Sequence, residues 1–125
     1  MLNRKNVAAT IAVKDLQLAI DFYEGKLGLI KEQSDEENYT SYKCGTTSLL
    51  VYQSAFAGGY QTTVATWSVG DDLEKIVADL KSKSVTFEHY DMPGTTLKGD
   101  IHTMGDMRNA WFKDPDGNII CLVNA

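Results

Sequence analysis

Cysteine is scarce in this chain. Cys44 and Cys121 are the only two in 125 residues, and they lie far apart in sequence. That excludes a zinc-type cysteine cluster and predicts two buried thiols rather than a disulfide. Long apolar runs are missing as well, since no stretch approaches the roughly 20 residues that a bilayer span needs. The opening Met1-Leu2-Asn3-Arg4-Lys5-Asn6 is polar and lacks the apolar core of a signal peptide. The expectation is a cytoplasmic protein with no membrane partner. Basic charge is in deficit: twelve Lys and Arg face seventeen Asp and Glu, for a net charge of −5. A negative field repels phosphate, so nucleic acid is not an expected partner.

What is present is ordinary for a globular domain. Hydrophobic residues make up 43% and charged residues 23%, enough apolar surface to offset the entropy of ordering. A chain of this length suits one domain, or two small halves sharing a core.

An internal repeat favours the halves. Residues 7–23 read VAATIAVKDLQLAIDFY and residues 63–80 read TVATWSVGDDLEKIVADL. Each copy starts β-prone and passes through Val-x-Asp into an amphipathic helix. Leu16, Ala19, Ile20, Tyr23 and Leu27 follow one helical stripe, and Leu73, Ile76, Val77 and Leu80 follow another. Asp15 and Asp72 are the expected N-caps, and Gly28 the left-handed stop of the first helix. β-Prone segments follow at 29–33, 38–43 and 48–53, then at 86–91, 109–113 and 119–123. The prediction is α+β: two tandem βαβββ halves, about 5–54 and 62–125, joined by a small-residue linker over 54–60. Asp114-Pro115-Asp116-Gly117 has the residue preferences of a type I turn. Residues 92–107 show no periodicity, and a loop of that length is expected to be a lid or arm over a cavity, or a dimer contact.

The doubled pattern resembles the vicinal oxygen chelate superfamily, which includes glyoxalase I, extradiol dioxygenases, methylmalonyl-CoA epimerase and the fosfomycin- and bleomycin-resistance proteins. The residues that carry the resemblance are Val13-Lys14-Asp15-Leu16, Ala19-Ile20-Asp21-Phe22-Tyr23, Leu27-Gly28-Leu29 and Trp111-Phe112-Lys113-Asp114-Pro115-Asp116-Gly117-Asn118. The resemblance implies a curved mixed sheet around a cleft, with helices on the outer face. It also implies a homodimer, since members often pair. Metal-using members hold a divalent ion with His or Glu on cleft-facing strand positions. Carried over one at a time, those positions hold Ala8, Leu50, Val64 and Cys121. Three are aliphatic, and a lone thiol does not hold a catalytic ion. No metal and no cofactor are expected.

With Ala8 and Val64 facing the cleft, period-2 alternation adds Thr10, Ala12, Thr66 and Ser68, and turns Ile11, Val13, Trp67 and Val69 toward the helices. Cys121 and Val123 then face the cleft, and Ile120 and Leu122 the core. Ala110 and Phe112 pack under the helix, which turns Trp111 to the cleft, joined by Tyr90. The expected lining is Leu50, Tyr52, Val64, Thr66, Tyr90, Trp111 and Cys121, with His102 near it. These side chains either wall a pocket for a flat apolar ligand or fill the cleft. His89 alternates with Val85 and Phe87 and reads as a structural histidine. A loop site of His102 with Asp100 and Asp106 is a lesser reading. The leading expectation is a metal-independent protein that binds a small molecule, in the manner of the bleomycin-resistance proteins. The alternative is a glyoxalase-like lyase, isomerase or dioxygenase with a divalent metal at a non-standard site. No catalytic residue is assigned.

Overall fold

The computed structural model describes residues 1–59 and 61–125. Tyr60, the last residue of the expected linker, lies outside the described residues. The fold is α+β and divides into two compact units, Val7–Ala65 and Met1–Asn6 with Thr66–Ala125.

In the first unit, β1 (Asn6–Val13) leads to α1 (Leu16–Ile20), then β2 (Ile30–Ser34), β3 (Tyr39–Cys44) and β4 (Thr47–Gln53). The strand order is β2-β3-β4-β1. β1 runs parallel to β4, and β4 and β3 are antiparallel to their next neighbours, so the sheet is mixed. Asp15 caps α1 as expected, accepting from the Leu18 N–H at 3.1 Å. Gln53 Oε1 at the end of β4 accepts from Leu16 N–H at 3.2 Å and ties the helix start to its own sheet. Leu16, Ala19, Tyr42 and Val51 form the core, with Val13, Leu29 and Leu49 beside them. The Tyr42 ring is fully buried, and its hydroxyl donates to Glu24 at 3.0 Å.

The predicted stripe fails at its far end. After Ile20 the chain winds wider through Asp21–Lys26, and the Leu27 N–H closes onto the Phe22 carbonyl five residues back at 3.0 Å. A π-type winding turns less per residue than an α-helix, so the apolar phase slips and Leu27 is 54% exposed. Gly28 follows with φ +72°, the left-handed stop that was expected.

β5 (Thr63–Ser68) begins in the first unit and ends in the second, where α2 (Leu73–Ser82), β6 (Phe87–Glu88), β7 (Thr96–Lys98), β8 (Ile101–Met104), β9 (Met107–Lys113) and β10 (Ile119–Val123) follow. The order is β5-β10-β9-β8-β7, with β6 also on β9. α2 buries Leu73, Ile76 and Val77 against Val69, Phe87, Ile101, Ala110 and Leu122, with Trp67 and Phe112 packed alongside. Of the expected helix-facing residues, Trp67, Val69, Ala110, Phe112 and Leu122 are found here and Val13 on the first unit's core, whereas Ile11 is exposed. Asp72 is not a cap, because no amide reaches its side chain. It bonds Lys5 Nζ at 2.6 Å instead, since a short non-α turn at Gly70–Asp72 moves the carboxylate off the helix start.

The largest departure from expectation is at 86–107. The strand expected over 86–91 is paired only at Phe87 and Glu88, opposite Phe112 and Trp111. Half of the segment 92–107, expected as an unpatterned loop, is strand. β7 and β8 form a hairpin around Gly99, where φ is +62°, a conformation that costs a Cβ-bearing residue. β8 then pairs with β9, His102 opposite Asn109. β6 and β8 therefore share one edge of β9. The glycines that looked like loop markers are turn residues between short strands.

Candidate functional site

The face of the second unit's strands turned away from α2 holds an aromatic cluster. Trp111 on β9 meets His102 on β8 edge-on, with ring centroids 5.0 Å apart. Tyr90, two residues past β6, meets Trp111 edge-on at 5.5 Å and stacks on His102 at 6.1 Å. Cys121 stands opposite Trp111 across the β9–β10 ladder. Asn109, two residues before Trp111 and so on the same face, donates from Nδ2 to Cys121 Sγ at 3.6 Å. A cavity of about 250 Å³ opens beside the cluster, walled by His89, Tyr90, Asp91, Met92, Thr95, Leu97 and His102.

His102 is the centre of this arrangement. It is 2% exposed, and its Nε2 accepts from the Tyr90 backbone N–H at 2.9 Å. Burial pushes its pKa below the ordinary imidazole value; the backbone of Asn109 works the other way. The imidazole is therefore neutral at pH 7. Since Nε2 accepts, the proton sits on Nδ1. The Cys121 thiol is pushed up to about 12 by burial, against a smaller opposing effect of Asn109. It is neither a nucleophile nor a ready thiolate.

Of the expected lining, Tyr90, His102, Trp111 and Cys121 come together here. Thr66 on β5 is buried in the same unit. Leu50, Tyr52 and Val64 belong to the first unit. Leu50 and Tyr52 stand opposite Thr10 and Ala12, and the Tyr52 hydroxyl accepts from Thr63 N–H at 2.8 Å. Val64 is exposed.

Two details of the histidine readings need correction: the lesser loop site of His102, and the alternation that set His89 beside Phe87, although His89 is satisfied by Asp100. His102 is a buried strand residue, and the supposed loop site with Asp100 and Asp106 does not form. Asp106 offers its backbone carbonyl to Asn124. Asp100 pairs with Lys81 Nζ at 2.6 Å and His89 Nε2 at 2.7 Å, contacts that hold its carboxyl below the usual range, the Lys81 bond most. His89 is exposed rather than packed with Phe87, because β6 ends before it and the alternation stops. Asn109 was missed, although its spacing from Trp111 placed it on the cluster face.

The family model of the Glyoxalase/Bleomycin resistance protein/Dioxygenase superfamily matches residues 6–122, and the chain belongs to that superfamily. No curated protein matches it. Among solved structures it is similar to a member of this superfamily from Vibrio splendidus 12B01. That match has 11% identity and a TM-score of 0.59, covering 95% of this chain and 97% of that one. The 2,3-dioxygenase LapB from Pseudomonas sp. KL28 matches at 24% identity and a TM-score of 0.56, covering 95% and 39%. Methylmalonyl-CoA epimerase from Mycobacterium tuberculosis matches at 18% and 0.57, covering 95% and 85%. These likenesses are of fold.

The divalent ion used by some of the superfamily does not fit the residues present. Ala8, Leu50 and Val64 have no donor atom, and the Cys121 thiol stays protonated. A relocated site would need at least three converging donors. Among the described residues no three or more His, Cys, Asp or Glu are grouped to hold an ion.

Proposed function

We propose that this protein binds a small apolar or aromatic molecule against the Tyr90–His102–Trp111 cluster, without a metal. The observation that carries the reading is the meeting of three rings beside a cavity of about 250 Å³. Rings offer large contact area at low entropic cost, and pockets of this kind hold flat ligands. The first unit's Leu50, Tyr52 and Val64 are not needed for it. A homodimer in the cytoplasm belongs to the same reading, supported by the family habit of pairing, and the −5 charge would keep such a dimer soluble.

Native mass spectrometry of the protein, purified without chelator, tests this. The expected result is a dimer free of metal that takes up one aromatic molecule per chain. A stoichiometric divalent ion would overturn the metal-free reading and turn attention to lyase, isomerase and dioxygenase assays.

A further inference from the structure

A second hollow lies on the other face of the same unit, between α2 and strands β7, β8 and β9. Along α2, Glu74, Ala78 and Lys81 fall at i, i+4 and i+7, one helical stripe that lines it. Across from them Lys98 stands opposite Ile101, and Thr103 stands opposite Arg108. Cross-strand partners share a face, and so do residues two apart, so all four turn toward the helix. An ion pair ties the two walls at each end: Arg108 to Glu74, and Lys81 Nζ to Asp100 at 2.6 Å. The slot between the pairs runs about 10 Å, seven residues of helical rise. Its volume is about 760 Å³. Val77 and Ile101 are buried and give it an apolar floor. The short Ala78 side chain leaves the middle of the helix wall open.

Charge selects the occupant. Three cations, Lys81, Lys98 and Arg108, line the slot with two carboxylates, Glu74 and Asp100. Four of these five are paired with one another, and Lys98 makes no ion pair among the described residues. One positive charge is thus left over beside an apolar floor, in a chain whose net charge is −5. We infer that the slot binds a singly charged aliphatic carboxylate, with its head group on Lys98 Nζ and its chain over Val77, Ala78 and Ile101. The chain gains by leaving water, and the charge-assisted bond to the ammonium fixes the head. A dianion such as a phosphate ester suits the slot poorly, because Glu74 and Asp100 stand at its two ends. A cation finds no unpaired carboxylate there. The site lies on the opposite face of β8 from His102 and stands apart from the small-molecule reading above.

The test titrates octanoate, octanol and octylamine into the whole protein while the backbone amides of Ala78 and Thr103 are followed by NMR. The three probes share a chain and differ only in the charge of the head. Octanoate is expected to bind about ten-fold tighter than octanol, the scale of one hydrogen bond to a charged group, and octylamine weakest. The preference for octanoate should shrink as salt is added. Lys98→Gln, at an exposed hairpin position, should bring octanoate down to the level of octanol and leave octanol unchanged. Ala78→Phe should fill the slot and remove both. Octanol or octylamine binding as tightly as octanoate would overturn the inference. So would an intact octanoate preference in Lys98→Gln, or no response of Ala78 and Thr103 to any probe. Shifts confined to the Trp111 indole N–H would overturn it too and assign the binding to the aromatic cluster. If Ala78→Phe does not fold, the wild-type ranking and Lys98→Gln decide.

Discussion

Tyr90 holds His102 twice: its backbone N–H fills Nε2 at 2.9 Å, and its ring lies over the imidazole at an interplanar angle of 29°. The backbone bond selects the tautomer. A residue just outside a strand thereby sets the chemistry of one inside it.

The pH dependence follows from that burial. His102 has its pKa lowered on folding. A depressed pKa contributes stability at pH values above the unfolded imidazole value, about 6.5. The contribution is lost as pH falls from there through the folded value. The thermal midpoint should therefore drop between pH 7 and pH 5. In His102→Phe that part of the profile should flatten. An unchanged slope in the variant would place the acid sensitivity elsewhere.

The two tryptophans should behave differently. Trp67 packs against the α2 core, and Trp67→Ala should cost about 3–5 kcal/mol, the usual range for a core aromatic. Trp111 faces the cluster, and Trp111→Ala should remove binding of the aromatic probe while the protein still melts cooperatively. Urea unfolding together with probe titration checks both. Loss of folding in Trp111→Ala would move that ring from binding to core.

Thiol reactivity separates the cysteines. Both are free, with Cys44 partly buried and Cys121 buried. With its thiol pushed up to about 12, Cys121 should resist iodoacetamide at pH 8. Mass spectrometry should show one modification in the folded protein and two after denaturation. Two rapid modifications in the folded state would contradict the burial of Cys121.

The two aspartates before the helices offer a further contrast. Asp15→Ala should destabilise by about 1 kcal/mol at any salt concentration, as loss of a helix cap does. Asp72→Ala removes a partly exposed ion pair with Lys5, and its effect should weaken as salt is added. Thermal melts of both variants at low and high salt distinguish the two roles.

The elements read most clearly from the sequence were those with one strong local cause. Leu73, Ile76 and Val77 recur at helical spacing and are buried together. Asp15 and Gly28 act where their chemistry pointed. Trp111 fell on the cluster face because Ala110 and Phe112 were both recognisable as core. What escaped the sequence depends on partners or on backbone winding. Leu27 is exposed because the turns before it are wide, which spacing does not reveal. β7 and β8 are three and four residues long, too short for alternation to register, so His102 looked like a loop residue. Asp72 and Asp15 occupy matching repeat positions, and only the turn at Gly70 and the reach of Lys5 tell them apart.

The shared edge of β9 has an engineering consequence. β6 and β8 each anchor to that strand, so the chain between them is held at both ends by independent ladders. Residues 91–99, between Tyr90 and Asp100, can therefore be treated as an exchangeable cassette. Its length and side chains are open to replacement without touching the residues beneath α2. Variants diversified only there would carry different binding preferences on one unaltered scaffold.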